Sequence, residues 1–198
     1  MRIGIDIDNT ICDTGTYLEK KIYEWDKFNN RETKLTSNYK NIYQKFAYDL
    51  KEKERFDNIY VPIMQVEANA IRDTDKVINN LKKEGHKIYI ISYRGKFQYE
   101  NALEVTKMWL KKNNIPYDEI IVEEWDKGKV CKENNIDIFI DDEPVHLNQA
   151  KEQGVDVIMY STKYNSYCND FNCIDNWNDI YSYTVSYTHL TLPTTSRV

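Results

Sequence analysis

The stretch that decides the fold is the opening one, Met1-Arg2-Ile3-Gly4-Ile5-Asp6-Ile7-Asp8-Asn9-Thr10. Ile3, Ile5 and Ile7 alternate with Gly4, Asp6 and Asp8, which is the period of a β-strand. Side chains two apart on a strand project to the same side, so Asp6 and Asp8 can share one site.

Working outward, Lys87-Ile88-Tyr89-Ile90-Ile91-Ser92 is a nearly continuous apolar run of the buried-strand kind. Shorter β-prone runs lie at 120–122, 136–140 and 155–160. Helical patterns alternate with them. Residues 73–84 place Val77, Ile78 and Leu81 on one face and stop at Gly85. Residues 99–112 bring Ala102, Val105 and Trp109 together, 127–134 is a shorter segment, and 144–153 opens with Pro144 in its first turn. This alternation predicts an α/β fold, a Rossmann-like and mostly parallel sheet covered on both faces.

Residues 14–72 are the exception, because they carry helical patterns and no strand. Leu18, Ile22 and Trp25 lie at helical spacing, and the segment around Tyr43, Phe46, Ala47 and Leu50 does so again. The stretch is too long for an ordinary crossover. It reads as a small helical cap inserted after the first strand, with the catalytic core formed by 1–13 and 73–184. Trp25, Tyr43, Phe46 and Tyr48 are expected to pack inside that cap rather than stack on a substrate.

From Val185 the chain reads Val-Ser-Tyr-Thr-His-Leu-Thr-Leu-Pro-Thr-Thr and ends at Val198. This resembles the translation of a transposase end sequence used in sequencing-library preparation. Residues 185–198 are therefore expected to be a non-native tail without a role, the competing reading being a natural polar tail.

The chain of 198 residues is 41% hydrophobic and 30% charged, enough to bury a core in one domain with a modest insertion. A net charge of −5 argues against a partner such as a nucleic-acid polymer, though not against a nucleotide-sized substrate held by a metal. No stretch approaches the ~18 apolar residues of a membrane span. Carboxylates stand where a signal peptide would need apolar residues, so a cytoplasmic location is expected. Cys12, Cys131, Cys168 and Cys173 lack zinc-ligand spacing and read as free thiols. His86, His146 and His189 show no catalytic pairing and read as surface residues.

Three strands end in groups able to handle phosphate: Asp6-Ile7-Asp8-Asn9-Thr10, Ser92-Tyr93-Arg94, and Asp141-Asp142-Glu143-Pro144. Open parallel sheets bind ligands at the carboxyl ends of their strands, so the topology gathers these groups. An aspartate is already ionised at neutral pH and needs no base to act as a nucleophile. Four clustered carboxylates repel unless a cation intervenes, and Mg²⁺ prefers such hard oxygen ligands together with substrate phosphate. Ser92 can donate a hydrogen bond to a phosphoryl oxygen, and a lysine can neutralise the charge that develops there.

In this order, Asp6-Ile7-Asp8-Asn9-Thr10, Ser92, a lysine before the fourth strand, and Asp141-Asp142 resemble the four motifs of the haloacid-dehalogenase-like superfamily, over residues 1–182. The runs Gly85–Arg94 and Asp126–Asp142 resemble more narrowly its 5′(3′)-deoxyribonucleotidase-like branch and the bacterial nucleotidases of that branch. The resemblance implies an Mg²⁺-dependent phosphomonoester hydrolase acting through an aspartyl-phosphate on Asp6. Asp8 would be general acid and then base, and its carbonyl would also ligate the metal. Ser92, Lys127 and Asn9 would contact phosphate, with Lys129 the alternative lysine. Asp6, Asp8, Asp142 and Asp141 would form the metal site, Asp142 as a direct ligand and Asp141 in support. A (deoxy)nucleoside monophosphate is the implied substrate, with a sugar phosphate or another small phosphomonoester as the alternative. Two positions depart from the pattern. Asn9 stands where many relatives have glycine, in a role that needs a left-handed backbone, and Tyr93 replaces a small residue before the arginine.

Other classes fit less well. A phosphoacceptor signalling module keeps its acidic pair on the first strand and its acceptor on a later one, the reverse of this order. A non-catalytic binding module would not need the complete set of reactive residues. A dehalogenase has no leaving oxygen for Asp8 to protonate.

Overall fold

The computed structural model describes residues 1–94 and 101–191, apart from the side chains of 188–191. Among the described residues, β1 (Arg2–Ile5), β2 (Lys87–Ser92), β3 (Glu119–Val122), β4 (Ile138–Asp141), β5 (Asp156–Tyr160) and β6 (Asn172–Ile174) form one parallel sheet in the order β3-β2-β1-β4-β5-β6. The strand order turns back at β1, which pairs with β2 on one side and β4 on the other. In a doubly wound sheet that switch opens a crevice beyond the strand ends. The register pairs Ile5 with both Ile90 and Ile140, so Asp6, Ser92 and Asp141 emerge at nearly the same level.

The alternation within the strands builds two cores. Ile3, Ile5, Ile88, Ile90, Ile138 and Ile140 face one side. There they meet Val77, Ile78 and Leu81 of α4 (Thr74–Lys83), Trp109 and Leu110 of α5 (Ala102–Lys112), and Trp177 and Ile180 of α8 (Trp177–Thr191). Tyr89, Ile91, Phe139, Val157 and Met159 face the other side against α6 (Lys127–Glu133) and α7 (Pro144–Glu152). Gly4 sits centrally on this second face, where a Cβ would come within 2.9 Å of the Phe139 ring.

Between β1 and α4 the chain forms α1 (Thr14–Phe28), the single turn α2 (Ile42–Lys45) and α3 (Leu50–Glu67). Trp25, Phe56 and Tyr60 meet within the insert, with Phe56 and Tyr60 centroids 4.7 Å apart, and Phe46 is fully buried. Buried Asp26 accepts from Arg31, Thr33 and the Tyr48 hydroxyl at 2.9, 2.8 and 2.7 Å. The insert is tied to the core where Trp109 Nε1 donates to the Ala68 carbonyl at 2.7 Å.

Two local expectations change. The segment 43–50 is not one helical face. Ala47 takes φ 49, which ends α2, and Asp49 then caps α3 by accepting from Glu52 N at 2.8 Å. β6 is an additional edge strand. α8 runs to Thr191, past residue 185, with Tyr187 stacked on Tyr183 one turn before it. Residues 192–198 of the expected tail lie outside the described residues. No helix among the described residues is long and apolar enough to cross a membrane.

Candidate active site

Directly after β1 the backbone stays tied to β4, with Asp6 N donating to the Ile140 carbonyl at 2.9 Å. The chain then wraps tightly around one atom. The Ile7 carbonyl accepts from the amides of Thr10, Ile11 and Cys12 at 3.2, 3.0 and 2.8 Å. Closing this loop requires a left-handed residue, and Asn9 supplies it at φ 57, in agreement with the sequence reading. The Asn9 amide donates to Cys12 O, and its Oδ1 accepts from Gly15 N at 2.8 Å. That second bond fixes the start of α1 beside the loop.

Lys127 is the first residue of α6, whose N-cap Asp126 accepts from Lys129 N at 2.9 Å. The helix approaches α7 so closely that a Cβ on Gly128 would lie 2.2 Å from the Gln149 carbonyl oxygen. Glycine there lets α6 seat, and the neighbouring lysine is carried into the interior. Lys127 Nζ reaches Asp6 Oδ1 at 2.6 Å and Asp141 Oδ2 at 2.7 Å. Lys129 points to solvent, 4.0 Å from Glu133, so the geometry separates the two lysines.

Asp141 is fully engaged, since its other oxygen accepts from Glu143 N at 2.8 Å. Asp142 is different: its carbonyl accepts from Asn165 Nδ2 at 2.8 Å, yet its buried carboxylate receives no hydrogen bond from a described residue. Carboxylate oxygens of Asp6, Asp141 and Asp142 all lie within 4.8 Å of one another. Ser92, buried at the end of β2, lines the same cavity of about 140 Å³.

The electrostatics follow from this crowding. Burial, joined by repulsion from Asp141 and Asp8, pushes Asp6 up to about 6 despite the opposing Lys127. Burial and repulsion from Asp141 and Asp6 raise Asp142 well above the ordinary value. Burial works against the Lys127 charge, but Asp141 and Asp6 outweigh it and hold the lysine above its usual value. One buried ammonium among three buried carboxylates leaves an excess of negative charge. The Asp142 carboxylate, which no described residue hydrogen-bonds, and the all-oxygen donor set fit a hard divalent cation.

Asp8 lies in different surroundings. Arg94, itself 1% exposed, forks onto it with Nε–Oδ2 at 2.9 Å and Nη2–Oδ1 at 2.7 Å, and the Thr14 hydroxyl donates at 2.7 Å. Burial acts to raise Asp8, but Arg94 and then Thr14 outweigh it and hold the carboxyl below its ordinary value. Arg94 is buried and Asp8 half-buried, so losing the arginine leaves a poorly solvated carboxylate, and Arg94→Met is expected to cost about 2 kcal/mol of stability. The readout is a lower urea midpoint at unchanged slope, and wild-type stability would overturn the expectation.

The fork was not anticipated, although Arg94 lies only two residues beyond Ser92, the last residue of β2. Thr14 gave no spacing signal. The histidines depart from expectation, since His86 and His146 are both buried. His86 packs its ring against the N-terminus, with Nδ1 3.4 Å from Met1 N, and His146 lines the same cavity as Ser92 with Nδ1 3.1 Å from Gln149 Oε1. The side chain of His189 lies outside the described residues. The four cysteines are free thiols.

Comparison with known proteins gives a consistent result. A family model described as 5′ nucleotidase, deoxy (pyrimidine), cytosolic type C protein matches residues 1–189. The YqfW protein of Bacillus subtilis is 30% identical over 186 residues, covering 89% of this chain and 90% of that one. A nucleotidase of Clostridium acetobutylicum is 27% identical over 190 residues, covering 91% and 92%. Among solved structures, a haloacid-dehalogenase-like hydrolase from Streptococcus pneumoniae superimposes with a TM-score of 0.62 at 12% identity, covering 92% of this chain and 97% of that one. A hydrolase of the same superfamily from Ehrlichia chaffeensis gives 0.60 at 17% identity, covering 94% and 97%. These two likenesses concern the fold.

Proposed function

The chain belongs to the cytosolic type C 5′-nucleotidase family and is a phosphomonoester hydrolase, and from that premise we propose that it is an Mg²⁺-dependent nucleotidase acting through an aspartyl-phosphate on Asp6. The observation that carries the reading is the buried set Asp6–Lys127–Asp141, with Asp142 left open beside it.

Asp6 Oδ attacks phosphorus, the bond to the leaving oxygen breaks, and that oxygen takes a proton from Asp8. A water then attacks the phosphorus of the acyl-phosphate, gives a proton to Asp8, and releases phosphate with Asp6 restored. Before substrate arrives Asp8 is held ionised by Arg94. A phosphate dianion competes for that positive charge and raises the proton affinity of Asp8, as a general acid requires. Ser92 and the Asn9 carboxamide nitrogen supply donors to the phosphoryl oxygens, and Lys127 neutralises charge while aligning Asp6. Asp142, the Asp6 carboxylate and the Asp8 carbonyl would hold the cation, with Asp141 supporting through Lys127. Bound there, Mg²⁺ shields the carboxylates and polarises the phosphoryl group.

Residues 14–72 act in this reading as a cap that encloses the leaving group. Free cysteines suit a reducing cytoplasm. The test is a substrate panel with Mg²⁺. Nucleoside 5′-monophosphates are expected to exceed simple sugar phosphates in kcat/KM, because the nucleoside provides remote binding energy usable at the phosphate. If sugar phosphates win, the substrate assignment is wrong although the hydrolase chemistry stands.

A further inference from the structure

One rim of the catalytic cavity is aromatic, and nothing in the phosphoryl chemistry uses it. Tyr93 follows Ser92 directly, lines the cavity and is 40% exposed. Trp125, two residues before Lys127, is 53% exposed and meets the Tyr93 ring edge-on, with centroids 5.1 Å apart and planes at 81°. Behind them the buried His146 ring packs on Trp125 at 4.9 Å. Tyr93 follows β2 directly, Trp125 precedes α6 by two residues and His146 lies in the first turn of α7, so three separate parts of the core bring the rings together.

Two features indicate what this rim does. Each exposed ring is within two residues of a group that contacts phosphate in the proposed mechanism, which places it within a nucleoside's length of the reacting atom. Edge-to-face packing also fixes the orientation of both rings, so little further ordering is needed when a planar base stacks on the face of one and meets the edge of the other. The cavity lining also includes Asn9, Asp142 and Glu143, polar groups suited to phosphate and cation rather than to a base.

We propose that Tyr93 and Trp125 form a stacking wall for the nucleobase of the leaving group, so that preference for nucleotides is set from the core side of the cavity. The proposal rests on the nucleotidase reading and adds the residues that discriminate. The wall accepts any planar base, since a π-face is common to all of them, and it contributes through ground-state binding.

The experiment compares wild-type protein with Trp125→Leu, Trp125→Phe and Tyr93→Leu, each assayed with Mg²⁺ on a nucleoside 5′-monophosphate and on ribose 5-phosphate, which lacks the base. The readout is the ratio of the two kcat/KM values, so turnover of ribose 5-phosphate reports folding within each variant. Base stacking is worth enough for Trp125→Leu and Tyr93→Leu to lower the ratio on the order of tenfold, mainly through KM for the nucleotide, while Trp125→Phe retains most of it. An unchanged ratio in both leucine variants, or equal loss on both substrates, overturns the wall and leaves the nucleotidase reading intact. A wild-type ratio below one overturns the nucleotidase reading, and the wall with it.

Discussion

Asp6→Asn is expected to lower turnover on the order of 10⁴-fold or more, with the protein still folded. An amide cannot form the acyl-phosphate, and no other described carboxylate both approaches the cavity centre and receives the Lys127 ammonium on its free side. Asp141 shares that lysine, but its second oxygen is held by Glu143 N at 2.8 Å. The fold should survive because Lys127 keeps Asp141 as a partner at 2.7 Å, and because a neutral amide relieves repulsion among Asp6, Asp141 and Asp142. The pH dependence gives an independent check. Folding moves Asp6 from 3.8 up to about 6, so its ionised form is disfavoured in the folded protein without metal. Its contribution to stability is present below the lower value and is lost as pH rises through the upper one. Asp6→Asn should remove that slope from the metal-free protein. Phosphate release and denaturant melts across this pH range measure both effects, and near-wild-type turnover would rule out the covalent scheme.

Most of the sheet and much of the site are legible in the sequence for one reason. Buried parallel strands are written as apolar runs, and the residue that ends such a run faces the crevice. Asp6, Ser92, Asp141 and Asp142 follow from that rule, and the order of the strands places them together. β6 escapes it because Asn172-Cys173-Ile174 is a three-residue edge strand with an exposed first half and no apolar run. The break between α2 and α3 escapes because alanine gives no sign of a left-handed backbone, although Asp49 as an N-cap is visible in retrospect. Side-chain pairings across the fold are less legible still. The Arg94–Asp8 fork joins residues 86 apart in sequence, and the buried His146 meets Trp125 from outside its own helix. Lys127 and Lys129 both lie near the N-terminus of α6, and only the close approach of Gly128 to α7 decides which of them enters the interior.

Excess chelator is expected to reduce hydrolysis of an aryl phosphate to background, with activity returning when Mg²⁺ is restored. The argument begins with charge. Asp6, Asp141 and Asp142 lie within 4.8 Å of one another, and Lys127 is the buried cation that reaches two of them. A phosphate dianion entering this cavity adds further negative charge, and at separations of about 4 Å each like-charge pair costs roughly 4 kcal/mol even at an effective dielectric of 20. One lysine cannot offset several such pairs, so in the proposed scheme substrate binding and attack by an anionic Asp6 would both call for a divalent ion. The same ion should stabilise the protein before substrate is present, because it relieves the carboxylate repulsion in the folded state alone. At a hundredfold excess over its dissociation constant, binding adds about 2.7 kcal/mol, which corresponds to a rise in melting temperature of roughly 5–10 °C for a chain of this size. No described residue hydrogen-bonds the Asp142 carboxylate, which leaves it to the ion, so Asp142→Asn should abolish most of that rise. Lys129→Ala, on the solvent-facing side of α6, should leave it unchanged. Activity that persists in excess chelator would exclude the cation from the chemistry. A melting temperature insensitive to Mg²⁺ in the wild-type protein would show that Asp6, Asp141 and Asp142 do not bind it in the absence of substrate.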